Sequence, residues 1–361
     1  MQKIDSKVIE LLRFPMMCLI VCMHSDIRVY CPWISHLKYT SIIMHLIINA
    51  LCGVAVPSFF FMSGMLFFRE KDFSLSLYKK KILSRLKTLL VPYLLWNLIC
   101  IFIIWILQSI IPGFQLLLHK PITQLSITDF LLLFWNISKV THLPDDQIGP
   151  LVGQFWFLQC LMLLVLLSPF IYIGIKKLNL IFPLIFGVIY IGFSFPTFPS
   201  INWQAFFYFI LGSWFSINSI SVSKTFKKLN IITCILFIFD CALSFFIYDI
   251  IIINNILILV ISFNIASYLI SKGFTLPKLL TAASFFIFCF HRFLTASMTN
   301  IAKLKIIPTQ TELQATSFYI FGTILVIVFC VLIYLLMSRF IPTITNILIG
   351  GRINNITKKY E

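Results

Sequence analysis

The chain is written in long apolar runs separated by short polar ones, and the runs lack the two-residue alternation of a half-exposed strand. A helix crossing a bilayer needs about 20 mostly apolar residues. Stretches near that length recur at 8–27, 42–68, 89–108, 153–175, 180–196, 203–218, 230–248, 251–271, 279–299 and 316–338. Their length predicts an all-α polytopic membrane protein, a bundle of about ten transmembrane helices, rather than a barrel of short alternating strands.

Two connections between these runs stand out. The segment 69–88 is basic, and its pattern allows a helix leading directly into the third span at Val91-Pro92-Tyr93. The segment 109–150 is too long for a simple turn in a compact bundle, which points to a functional loop. Within it, Ile127–Ile137 is apolar but too short to span, so an interfacial or re-entrant helix is expected. Shorter loops near 28–41, 196–202 and 300–315 lie on the same side, and a tail occupies 340–361.

Composition sharpens the membrane reading. Hydrophobic residues make up 60%, charged residues 11%, and the mean hydropathy is +1.00. Soluble chains carry about a quarter charged residues, so one transmembrane domain over 1–361 is expected, with no separate soluble core. Lys3, Lys7, Arg69, Lys71, Lys79, Lys80, Lys81, Arg85, Lys87, Lys176, Lys177, Lys224, Lys227, Lys228, Lys272, Lys278, Arg339, Arg352, Lys358 and Lys359 gather on one side of the spans. The other side holds Arg28, Lys38, Lys120, Lys139, Lys303 and Lys305. That bias predicts cytoplasmic N and C termini. The net charge of +16 then reads as topology and attraction to anionic headgroups, not as a nucleic-acid surface. Arg13 interrupts the first apolar run and no small-residue cleavage site follows, so a retained first helix is expected. The ten cysteines fall mostly inside spans as small apolar fillers, without CxxC or metal-ligand spacing, and no metal is expected.

Ionisable groups at membrane depth are costly, so each is a functional hypothesis. Arg13 and His24 are eleven residues apart, within about 20° of one helix face and some 16 Å apart along the axis. Imidazole, with an ordinary pKa near 6.5, can take a proton from a hydroxyl at neutral pH and return it, which is the chemistry of acyl transfer. The alternative pairs Arg13 with Glu10 and leaves His24 at the interface. His291, beside Arg292, should reach a depth similar to His24. Asp240 sits in the seventh span, either paired with a basic group or protonated. Asn97, Gln159 and Asn264 read as interhelical hydrogen-bonding groups. Ser63-Gly64 admits a nucleophile, but without a G-x-S-x-G elbow close packing is the stronger reading. Lys79–Lys81, Arg85 and Lys87 form an ordinary basic flank or, if helical, present Lys81 and Arg85 on one face as a phosphate clamp.

Taken in order, RFPMMCLIVCMH, VPSFFFMSGMLFF, YKKKILSRLKTLLVPYLLWN, QFWFLQCLML, FFYFILGSWFS and SFFIFCFHRFL cover roughly residues 8–340. This series resembles the membrane-bound acyltransferase family 3, which contains many polysaccharide O-acetyltransferases. The resemblance implies a ten-helix core, acetyl-CoA or another acyl-CoA as donor from the cytoplasm, and a cell-surface or lipid-linked glycan as acceptor. It makes His24 the essential histidine and assigns the donor to Arg13 and the basic stretch that carries Lys81 and Arg85. Arg69 is a further donor-binding candidate, and His291, Asp240, Ser63 and Trp156 are candidate supporting residues. Two departures stand out: Lys81 and Arg85 replace a pair of arginines three apart, and Gln159-Cys160 stands where relatives often have Arg-Asp. The expectation is a multi-pass O-acyltransferase of the bacterial inner membrane. An exporter or flippase of polysaccharide or lipid-linked sugar is the alternative, though the two-fold repeats and paired discontinuous helices it would favour are not visible. A glycan polymerase or glycosyltransferase would draw on Asp129, Asp145 and Asp146 in 109–150.

Overall fold

The computed structural model describes residues 3–28, 30–70, 73–111, 114, 118–141, 149–192, 201–243 and 251–352, without the side chains of 240–243, 251 and 252. The architecture is 81% helix with no strand among the described residues. In chain order the α-helices are α1 (Lys3–His24), α2 (Lys38–His45), α3 (Ala55–Phe67), α4 (Leu75–Arg85), α5 (Val91–Ile110), α6 (Ile127–Leu132), α7 (Trp156–Leu166), α8 (Ser168–Leu178), α9 (Ile181–Gly192), α10 (Trp203–Ile217), α11 (Val222–Lys228), α12 (Asn230–Leu243), α13 (Ile251–Ser271), α14 (Lys278–Lys303), α15 (Glu312–Phe340) and α16 (Pro342–Leu348).

Five helices among the described residues are long and apolar enough to cross a membrane: Lys38–Phe67, Leu75–Ile110, Ile253–Ser271, Lys278–Lys303 and Glu312–Phe340. Two bent pairs, 153–178 and 203–228, raise the count to seven if each is one span. The expected ten are not reached by length and composition, for two physical reasons. Helix α1 is 22 residues long, but Lys3, Asp5, Lys7, Glu10 and Arg13 crowd its first half. Helix α9 has 12 described residues, about 18 Å against a hydrocarbon core near 30 Å. Both α9 and α12 are followed by residues outside the described set.

The basic segment does run straight into the third span, as Leu75–Ile110 is one continuous helix. Between α4 and α5 it widens into a π turn at Leu86–Leu90. The cause lies in Pro92, which has no N–H to offer the carbonyl of Thr88 four residues earlier. Arg352 Nη1 donates to that carbonyl at 3.3 Å. Gly350, at φ +68°, lets the chain approach, since a Cβ there would lie 2.5 Å from the Thr88 oxygen. A second π turn, Leu46–Leu51, is handled in the same way: Asn254 Nδ2 donates to the carbonyls of Asn49 and Ala50, both at 3.3 Å. Side chains thus satisfy backbone groups that a widened turn frees inside a bundle.

The backbone divides into two compact units. The first comprises residues 1–71 and 215–340. In it α1 packs against α3, α13 and α14, and Phe61, Phe215, Phe226 and Phe263 meet ring to ring at 5.5–6.1 Å. Asp5 is fully buried and caps α11, accepting from Ser223 N at 3.0 Å, Ser223 Oγ at 2.8 Å and Ser221 Oγ at 3.3 Å. Glu312 does the same for α2, accepting from Thr40 N and Oγ1 at 2.7 Å each and from Tyr39 N at 3.2 Å. Asn264 Nδ2 ties α13 to Phe226 O and Asn230 Oδ1.

The second unit comprises 72–214 and 341–361. Here the expected helix at Ile127–Ile137 shrinks to α6, six residues with a capping box between Ser126 and Asp129. Hydrogen bonds from Ser126 hold the half-exposed Asp129 carboxyl below its ordinary pKa. Beyond α6 the chain turns, and Leu133, Ile137 and Val140 bury against Ile101, Ile104 and Leu118, while Ile127, Leu131 and Trp135 stay exposed.

Candidate active site

Helix α1 remains continuous through Pro15, so Arg13 and His24 share one helix and the eleven-residue spacing keeps its meaning. His24 is the last residue of α1 and is half-buried. Across from it α14 presents two consecutive side chains. The His291 ring lies 5.3 Å from that of His24, centroid to centroid, with 31° between their planes. Arg292 Nη1 stands 3.4 Å from His24 Nδ1.

The partners of these groups assign their protons. His291 is fully buried, and its Nδ1 is 2.8 Å from Ile287 O and 3.0 Å from Phe288 O. Carbonyls only accept, so Nδ1 carries the proton and Nε2 a bare lone pair; that Nε2 has no hydrogen-bond partner. A guanidinium only donates, so the His24 Nδ1 that faces Arg292 carries its lone pair, and Nε2 the proton. The cluster therefore holds two unprotonated imidazole nitrogens beside a permanent cation: a base, a second base and an anion-stabilising group within a few ångströms.

Nearby groups are committed elsewhere. Asp26 pairs with Arg28 through bonds of 2.8–3.2 Å, and Tyr319 donates to the Cys22 carbonyl at 3.2 Å. Arg28 therefore has its counter-charge, whereas among the described residues Arg292 has no carboxylate within 4.0 Å.

Of the other residues singled out in the sequence, Arg13 is half-buried on α1 and Ser63 half-buried on α3, both in the first unit. Arg69 is exposed just beyond α3. The Asp240 side chain, and the whole of Asp145 and Asp146, lie outside the described residues. Lys81 and Arg85 belong to the second unit, four residues apart on α4 and half-buried, and Trp156 begins α7 there. The structure brings His24 and His291 together. It adds Arg292, which the sequence marked only as the neighbour of His291, and Asp5, which the sequence reading passed over. A signal for Asp5 existed in Ser221-Val222-Ser223, two hydroxyls opening a short basic helix that begs an acceptor at its N-terminus.

The second unit carries a polar cluster of another kind. Gln159 Nε2 donates to Tyr93 Oη at 3.0 Å, Trp135 O at 3.0 Å and Phe134 O at 3.3 Å, and the Tyr93 hydroxyl donates to Phe134 O. Asn97 donates to Tyr93 O at 2.8 Å and accepts from Val152 N at 3.1 Å. These bonds pin the turn after α6.

A family model described as an acyltransferase domain matches residues 7–335, a stretch that takes in both units. Comparison with curated proteins and with solved structures gave no match.

Proposed function

Because this chain belongs to the membrane acyltransferase family 3, we propose that it moves an acetyl or other small acyl group from a cytoplasmic acyl-CoA to a hydroxyl of a cell-surface or lipid-linked glycan. The chain sits in a bacterial inner membrane with about ten spans and both termini in the cytoplasm, a placement supported by the unequal distribution of Lys and Arg between its connections. The observation that carries the reading is the His24 cluster: an imidazole lone pair at the end of a buried helix, backed by a second imidazole 5.3 Å away.

In the proposed reaction His24 takes the proton of the acceptor hydroxyl as the oxygen attacks the thioester carbonyl. Arg13, lower on the same helix, and Arg69, of the same unit, help to hold the donor, and within the second unit Lys81 and Arg85 form a phosphate clamp of their own. On α4 the helical spacing of Lys81 and Arg85 places both on one face, which supports the clamp.

The test supplies acetyl-CoA labelled in the acetyl carbon to membrane vesicles that contain or lack the full chain, and follows the label into the glycan fraction. Chain-dependent labelling of glycan is the expected result. Glycan that crosses the membrane without ever acquiring label would contradict acyl transfer and favour an exporter.

A further inference from the structure

Acyl transfer builds negative charge on the acyl oxygen, and two arginines of the first unit are candidates to receive it. Arg13 is three turns below His24, about 16 Å along the axis. Side chains on a helix lean toward its N-terminus, so Arg13 leans away from the imidazole rather than toward it. Arg292 needs no such reach, since its Nη1 already stands 3.4 Å from His24 Nδ1.

The geometry points to Arg292 as the catalytic cation of this chain, the group that stabilises the oxyanion formed beside His24. The inference rests on the acyl-transfer reading above and adds a residue to it. At 3.4 Å the hydrogen bond to His24 is long and therefore weak, so the guanidinium gains by turning to a better acceptor. An arginine inside a bundle without a counter-charge is expensive. Arg28, one turn beyond His24, is neutralised by Asp26 at 2.8 Å, whereas among the described residues Arg292 has no carboxylate within 4.0 Å. The anion it awaits is the one the reaction makes.

The step runs as follows. The acceptor oxygen bonds to the thioester carbon while its proton passes to His24 Nδ1. The π pair of the carbonyl settles on the acyl oxygen, within reach of the guanidinium adjoining that same nitrogen. The pair then re-forms the carbonyl, the carbon–sulfur bond breaks, and the coenzyme A thiolate leaves with the proton returned by His24. Donors preorganised toward such an oxygen are worth about 10²–10³ in turnover.

The full chain, reconstituted in lipid vesicles with labelled acetyl-CoA and the lipid-linked glycan fraction of the host membrane, provides the assay. Arg292→Gln should lower kcat by about 10²–10³ and leave KM for acetyl-CoA within about twofold, whereas Arg13→Gln should act mainly on KM. Adding ethylguanidinium to Arg292→Ala should restore part of the lost turnover, and urea should not. If Arg292→Gln fails to reach wild-type abundance, Arg292→Lys decides, with at least a tenfold loss of kcat expected at unchanged KM. A kcat within about twofold of wild type, or a loss confined to KM, would overturn the role of Arg292 while leaving acyl transfer in place. Absence of transfer by the wild-type chain would overturn acyl transfer and this inference with it.

Discussion

The two units each bury a cluster of polar side chains, and the clusters differ in what they leave unspent. In the second unit Asn97 uses both ends of its amide, on Tyr93 O and Val152 N, and Gln159 Nε2 serves two backbone carbonyls and a hydroxyl, leaving only the amide oxygen Oε1 without a partner. Those bonds hold a turn in place. In the first unit His291 Nε2 has no partner, and Arg292 touches His24 only at 3.4 Å. A buried polar group with its bonds made stabilises, and one left short of bonds costs about 1–3 kcal/mol. Gln159 Oε1 and Asp5 Oδ2 are short of a bond as well, so what sets the His24 cluster apart is the chemistry it gathers, two imidazoles beside a guanidinium.

The contrast can be broken from either side. The largest effect is expected from His291→Gln, which replaces a bare imidazole lone pair by an amide: acyl transfer should fall by about 10²-fold with membrane abundance unchanged, as measured by label incorporation per folded molecule. Asn97→Leu should do the reverse. It orphans Val152 N, for about 1–3 kcal/mol, while Tyr93 O keeps the helical N–H of residue 97, so the thermal midpoint in detergent should drop by a few degrees while turnover of the folded fraction holds. Glu312→Gln is expected to act least: the N-terminus of α2 loses a formal charge but keeps an acceptor, and the midpoint should fall by less than for Asn97→Leu.

What could be read from the sequence was local or periodic. The Arg13–His24 spacing needs only a continuous helix, and α1 supplies it. Likewise the fusion of α4 and α5 followed from an unbroken helical pattern into Pro92. What escaped reading depends on which faces meet. Arg292 could not be matched to His24 because nothing in the chain says which side of α14 turns toward α1. The helix expected at Ile127–Ile137 stops at Leu132 because the pair that would continue it is split: Ile137 N donates to Gly149 O and Leu133 O accepts from Leu151 N. Of the expected span 180–196, α9 covers Ile181–Gly192, and the rest lies outside the described residues.

The most direct test is turnover of His24→Ala in vesicles, scored beside its thermal midpoint and abundance against wild type. A loss of acyl transfer by about 10²–10⁴ at an unchanged midpoint is the predicted result. Transfer that persists at the wild-type rate per folded molecule would contradict the account.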